Sequence, residues 1–401
     1  MDIPQSRFYR VNATTLRLVG QWPYQERKSQ RIQQILFHIS VMTVLLMLII
    51  PTGNMEMKKG IKLIEVWGDM DVMIECLTPM GVQVNSCVKS LNCIVNRDKM
   101  KKLLEQIKTD WSNVKREDEI KILTAHSEQG RKLSIIYIAS MYATVAIYLT
   151  IPLTPIILDV IAPLNESRPR EYLYRTEYFV DPDDYYFPIM LHTYIGTIIT
   201  VLVVAAVDAM FATYVQHVCG ILAIIGYRFE NLIKIRDTRE NPSEHDDQCY
   251  KELVRCIDQH YQAAEYVMLV EKSYSMAFMI QTMVSMVLLS MSAVQLLMKF
   301  GEREEMIRMI QFNLAQFFHI FYNSWPGQKL LDQSVSLRDS VYSSEWYSLS
   351  RRSKVLLKFI MLRTLKPLKL TAGKLYDLSM ENFGAVIRAS ASYFTVFASL
   401  R

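Results

Sequence analysis

Long apolar blocks alternate with long charged ones along this chain, and that alternation restricts it to a membrane-spanning fold. From Gln34 to Ile50 the run QILFHISVMTVLLMLII carries no Asp, Glu, Lys or Arg, and Pro51 ends it. Further apolar blocks fall at about Val66–Val88, Ser134–Val160, Ile189–Tyr214, Ser273–Met298, Met306–Trp325 and Leu375–Arg401. Each is near the roughly 20 residues that cross a bilayer core as a helix. In lipid the backbone must satisfy its own hydrogen bonds, which selects helices for such blocks. The fold class expected is therefore an all-α membrane protein with seven transmembrane helices.

The mean hydropathy is only +0.10 although 51% of the residues are hydrophobic. Seven spans consume only about 140 residues, so the remainder must form sizeable aqueous segments. The expected organisation is an N-terminal segment (1–33), a six-helix bundle with helical extensions (34–326), a basic anchor segment (327–374) and the last helix (375–401). The run MKKLLEQIKTDWSNV, within the charged residues 89–132, has helical periodicity and reads as a solvated amphipathic helix. Residues 221–265 read as an extension of the fourth helix and a return toward the fifth. Pro79–Gly81 predicts a break within the second span, Pro152 and Pro155 a break at the far end of the third, and Pro326–Gly327 the end of the sixth. Phe8, Leu16, Leu18, Trp22 and Tyr24 suit the basic N-terminal segment to lie at the membrane interface.

Charge sets the orientation. Of the 45 Lys and Arg residues, 34 fall in the N-terminal tail and the segments on its side, against 9 on the other side. The positive-inside rule then places the N-terminus in the cytoplasm and the C-terminus outside. The sequon Asn165-Glu166-Ser167 lies on the outer side, which makes Asn165 a glycosylation candidate. No apolar h-region follows the first basic residues, so the first span is expected to act as its own signal anchor. None of the six Cys falls in an outer segment, and no Cys/His cluster has metal-ligand spacing. The sequence lacks His-Glu-x-x-His, Gly-x-Ser-x-Gly and a phosphate-binding glycine loop, so no enzyme, cofactor or metal is expected. The basic residues are not gathered on one soluble domain, which excludes nucleic acid as a partner; the surrounding partner is membrane lipid.

The last block is too polar for a helix facing lipid all round. Ser392, Val396 and Ser399 share a helical face with Arg388 one turn earlier. Such a stripe serves either helix packing or a pore lining, and the spacing alone does not choose.

Several runs resemble one family. Phe383, Ile387, Arg388, Ser390, Ser392, Tyr393 and Phe394 resemble the C-terminal signature of insect odorant receptors. LRLVGQWPYQ near the start and EYFVDPDDYYFPIMLHTY before the fourth span are similar to hymenopteran members, and Tyr214, Gln216, His217, Cys219 and Gly220 form a further match. His217 taken singly reads as a satisfied polar contact. The resemblance implies a seven-helix ligand-gated cation channel whose last helix lines the pore. The family's co-receptor ends in Tyr-Phe-x-Val-x-x-x-Leu-basic, matched here by Tyr393, Phe394, Val396, Leu400 and Arg401. Val396 then stands at the hydrophobic gate, with Ser392 and Ser399 along the pore; the co-receptor has glutamine where Ser399 stands.

The resemblance also implies an odorant pocket in the outer half of the second, third, fourth and sixth helices. The corresponding candidates are Met70, Met73, Ile74 and Leu77; Tyr142, Ile147 and Tyr148; Tyr194, Ile195 and Ile198; and Met309, Phe312 and Gln316. The many Met residues favour an adaptable apolar pocket for a volatile or hydrocarbon-like ligand. By the same resemblance the partner is the odorant receptor co-receptor, in a heterotetramer at the plasma membrane of olfactory sensory neuron dendrites, with residues 328–372 making subunit contacts. Two rival chemoreceptors are a gustatory receptor and a seven-helix receptor signalling through a soluble partner without a pore. Gustatory receptors typically end in Thr-Tyr…Gln-Phe, whereas this chain has Ser392-Tyr393 and Ser399-Leu400.

Overall fold

A computed structural model describes residues 3–49, 70–164, 168–174, 178, 180–232, 242–299, 301 and 303–399. The sequon at Asn165 lies outside the described residues, as do the side chains of Met70, Met73, Ile74 and Ser399.

The architecture is a helical bundle: α1 (Arg10–Leu18), α2 (Arg27–Ile49), α3 (Met70–Val95), α4 (Arg97–Asn113), α5 (Glu117–Thr150), α6 (Thr154–Ile161), α7 (Tyr186–Glu230), α8 (Pro242–Met298), α9 (Arg303–Ser343), α10 (Arg351–Thr364) and α11 (Met380–Ser399). One antiparallel hairpin, β1 (Thr371–Ala372) with β2 (Tyr376–Asp377), precedes α11. Among the described residues, four helices are long and apolar enough to cross a membrane, in α2, α5–α6, α7 and α8. With 57 residues, α8 runs about 85 Å, far beyond a bilayer core of about 30 Å. It and the 45-residue α7 therefore continue well outside any membrane.

The burial pattern divides the molecule. Along the apolar blocks, large side chains point outward, among them Leu36, Ile39, Leu46, Ile147, Leu191 and Leu314. That is the surface lipid would cover. The largest buried cluster instead gathers Trp22, Leu103, Leu104, Ile107, Phe229, Leu253, Leu337, Leu357 and Ile360, mostly from the helical extensions. It forms a water-type core, with α4 contributing the apolar face its periodicity predicts. At the centre lies α7, 72% of whose most apolar window is buried, against 17% for α5–α6.

Several local expectations are corrected. The run from Leu375 is not one helix: the hairpin turns at Gly373 and Lys374, both at positive φ, and Leu378 N–H donates to Leu370 O at 2.8 Å. The helix starts at Met380 because Ser379 caps it, its Oγ accepting from Asn382 N–H at 3.2 Å. Helix α3 runs unbroken through Pro79–Gly81. Proline removes one helical N–H there, and Gly81 lets Leu288 of α8 approach to where a Cβ would sit. Likewise α9 passes through Pro326–Gly327 and continues to Ser343, with Gly327 against the Leu378 backbone. The N-terminal segment is packed into protein: Trp22, Tyr9 and Leu16 are buried, and Phe8 stacks on Trp111 at 5.6 Å. Leu18 and Tyr24 remain exposed. The break expected at Pro152 and Pro155 is present: the helix of the third span ends at Thr150, and the Pro152 turn gives way to α6.

Candidate functional site

A cavity of about 440 Å³ lies between α3, α5, α7 and α9 at the end of the bundle that carries the 168–174 segment. Helix α3 supplies Thr78, Pro79, Val82 and Asn85, and α5 supplies Met141, Thr144, Val145 and Tyr148. Helix α7 supplies Thr197, Val201 and Val204, α8 supplies Gln295, and α9 supplies Arg308, Met309, Gln311, Phe312, Ala315, Gln316 and His319.

The segment Arg170–Tyr174 closes one side. Leu173 is buried, and its carbonyl accepts from Tyr148 OH at 3.3 Å. Tyr174 OH meets Thr197 Oγ1 at 2.7 Å, and burial pushes this phenol above its ordinary range, so it stays a neutral donor. Arg308 pairs with Glu171 at 3.2 Å, tying the segment to α9. These lining residues were missed in the sequence because they sit in a charged loop. The signal was there: Tyr172, Leu173 and Tyr174 are an apolar island within it.

Of the sequence candidates, Tyr148, Met309, Phe312 and Gln316 line this cavity. Leu77 precedes the lining Thr78 and is half-buried. Tyr142 packs against the cluster of Tyr137 and Tyr322, and Tyr194 OH donates to Leu149 O at 2.6 Å. Ile147, Ile195 and Ile198 are exposed on the outside of the chain.

Beneath the cavity lies a buried polar node. Lys89 of α3 and Asp208 of α7 form an ion pair with both side chains nearly inaccessible. Tyr137 OH donates to Asp208 Oδ2 at 2.8 Å, and Asn323 Nδ2 lies 3.4 Å from the same oxygen. His319 belongs to both cavity and node. Its Nε2 is 3.1 Å from Asp208 Oδ2 and 3.2 Å from both Lys89 Nζ and Gln281 Nε2. A protonated Nε2 donates to the carboxylate, and an unprotonated one accepts from the amine or amide. The node thus ties together α3, α5, α7, α8 and α9. His217 is only half satisfied: its Nε2 lies 2.8 Å from Asp110 Oδ2, while its buried Nδ1 has no hydrogen-bond partner.

Helix α11 packs on α8 and α9. Ser290 Oγ donates to Ser390 O at 3.0 Å, and Phe383 sits edge-on to Phe317 and Phe321 of α9. The opposite face, with Arg388, Ser392 and Val396, is exposed on the single chain.

Fold and cavity together define a multi-pass helical membrane protein with a mostly apolar cavity among its helices. The family model described as 7tm odorant receptor matches residues 69–391, and the chain belongs to that family of insect receptors. The family is a non-catalytic receptor class, and the chain is not an enzyme. It is 22% identical to the odorant receptor Or2 of Anopheles gambiae over 86% of this chain and 89% of that protein. It is 23% identical to the odorant receptor coreceptor of Ooceraea biroi, over 36% of this chain and 30% of that one. The solved structure of the insect olfactory receptor OR5 from Machilis hrabei in complex with eugenol has the same fold. Its TM-score is 0.77 at 15% identity, covering 98% of this chain and 97% of that one.

Proposed function

We propose that the chain is the odorant-tuning subunit of a ligand-gated, non-selective cation channel, of the hymenopteran type. It spans the plasma membrane of sensory dendrites seven times, with its N-terminus inside. The observation that carries this is the cavity of about 440 Å³, lined by five helices and closed on one side by Arg170–Tyr174. Such a compartment, mostly apolar with a few fixed polar groups, suits a small volatile. Occupancy favours one packing arrangement of the bundle over another. The change reaches α11 through α8 and α9, which it packs against. There Val396 leaves the pore axis and the constriction wets. The partner is the odorant receptor co-receptor, whose relatives share sequence with this chain. Its copies stand around a common axis with the exposed face of α11, in a heterotetramer.

Whole-cell current is the test, with the chain expressed alone and with a co-receptor under a panel of volatiles. A ligand-evoked cation current in the pair, altered in selectivity by Val396→Ala, supports the reading. A ligand-evoked second-messenger signal without current replaces it with a receptor lacking a pore.

A further inference from the structure

Among the described residues, His319 alone belongs both to the cavity lining and to the buried node, and its two ring nitrogens divide between them. Its Nε2 stands 3.1 Å from Asp208 Oδ2 and 3.2 Å from both Lys89 Nζ and Gln281 Nε2. Its Nδ1 makes no hydrogen bond among the described residues. Nor is that atom sealed in, as the side-chain oxygens of Asn85, Gln295, Gln311 and Gln316 are. The residue is 5% exposed and lines the cavity, so the open side of its ring is the cavity side.

The node sets how many protons the ring carries. Lys89 and Asp208 balance each other, and a cationic ring would stand beside the Lys89 ammonium with no second carboxylate in contact among the described residues. A neutral imidazole has one N–H and one bare nitrogen, so what one nitrogen does dictates the other. With the hydrogen on Nε2, the ring donates to the Asp208 carboxylate, and Nδ1 accepts from the cavity. With the hydrogen on Nδ1, the ring donates into the cavity, and the bare Nε2 accepts from Lys89 Nζ. Its lone pair then opposes Asp208 Oδ2, which keeps the Tyr137 hydroxyl at 2.8 Å. Gln281 serves either form, because reversing its amide exchanges donor for acceptor. In passing between the forms, one nitrogen gives a proton to water as the other takes one, and the ring stays neutral.

We propose that His319 is the residue through which the polar group of a cavity ligand acts on the buried ion pair. A hydroxyl compound donates to Nδ1, fixes the ring hydrogen on Nε2 and holds His319 on Asp208. A carbonyl compound accepts from Nδ1–H and turns Nε2 from Asp208 of α7 to Lys89 of α3. This rests on the reading of the cavity as the odorant site. Two ligands of one carbon skeleton thereby leave the contact between α9 and its neighbours in different states, which is the differential interaction a ligand needs to shift a bundle.

The test uses the purified full-length chain in detergent, isotope-labelled in its histidine rings and methionine methyl groups, and reads both by NMR. The ring signals report which nitrogen carries the hydrogen. The probes are secondary octyl alcohol and hexyl methyl ketone, which share a skeleton and differ in the sign of their hydrogen bond. The His319 signal is the one lost in His319→Gln. If that variant fails to fold, Gln281→Leu marks the same signal, since Gln281 touches Nε2 and does not line the cavity. Met309, which lines the cavity, reports occupancy, its signal assigned by Met309→Leu. At saturation the two probes are expected to leave His319 in opposite forms, Nε2–H with the alcohol and Nδ1–H with the ketone. The same form under both probes, or a doubly protonated ring, while Met309 shifts, overturns the role of His319 and leaves the cavity standing as the ligand site. No shift of Met309 with either probe overturns both, and currents from the co-receptor pair then report separately on the channel.

Discussion

The buried pair Lys89–Asp208 offers the sharpest energetic prediction. Their side chains are 3% and 1% exposed, and they come from helices 119 positions apart in sequence. Lys89→Met removes the cation and leaves the carboxylate with only Tyr137, Asn323 and His319. Breaking a buried pair from one side costs about 3–5 kcal/mol, because the surviving charge is uncompensated. That corresponds to a shift of about a hundredfold to several thousandfold in the folding equilibrium. Asp208→Asn should cost a similar amount, since it strands Lys89 beside an uncharged amide. The double variant Lys89→Met/Asp208→Leu removes both charges, and replacing a whole buried pair with apolar groups is often near neutral. The signature is therefore non-additive: two damaging single changes and a far milder double. Thermal unfolding of detergent-solubilised protein measures it, with Lys101→Met as the control. Lys101 meets Glu105 at 3.9 Å in the open, where ion pairs contribute little. Single variants no worse than that control, or a double variant that loses the sum of the two, would refute the argument.

Three further outcomes are expected. Gly327→Ala should destabilise, although alanine ordinarily improves a helix. A Cβ there would lie 2.1 Å from the Leu378 carbonyl oxygen, so the strand-to-α11 connection must move, costing about 1–3 kcal/mol; a raised melting temperature would contradict this. His260, in the extension of α8, is held down to about 4 by burial and by the Arg363 charge. The unfolded chain takes up a proton near 6.5 while the folded one resists until about 4, so this contribution is complete above pH 6.5 and lost as pH falls toward 4. His260→Gln should flatten that part of the stability profile, and an unchanged slope would count against the assignment. Val396→Ser, on the exposed face of α11, should raise ligand-independent current in the co-receptor pair by easing wetting of the gate; unaltered resting current and selectivity would take Val396 out of the pore.

What could be read from the sequence follows from which physical signals are local. The amphipathic face of α4 was legible because Leu103, Leu104 and Ile107 repeat at helical spacing against charged neighbours. The Ser379 cap and the Gly373 turn are local signals too, but a long apolar run following them masked the hairpin. Pro79 and Pro326 misled for the opposite reason. Each costs a helix one hydrogen bond, and neighbours in space offset that cost: Gly81 admits Leu288 and Gly327 admits Leu378. Amphipathicity in the first 24 residues is also silent about what covers it. Trp22 reads equally well as a membrane-interface residue, yet it is buried in the protein core.

Helix phase inside a membrane is the deeper obstacle, and it explains how the cavity candidates scattered. A soluble helix announces its buried face because the other side must be polar. A spanning helix is apolar toward lipid and toward a cavity alike, so hydropathy carries no phase. Ile147 and Tyr148 are neighbours in sequence; the first faces outward and the second lines the cavity. Polar residues break this symmetry, because lipid excludes them. Asn85, Gln295, Gln311, Gln316 and His319 all turn inward, and so does Asp208. Their positions fix the inward face of α3, α7, α8 and α9 more firmly than any Met or Phe. The residues that reveal the site in a chain of this kind are thus the few its spans tolerate at a cost.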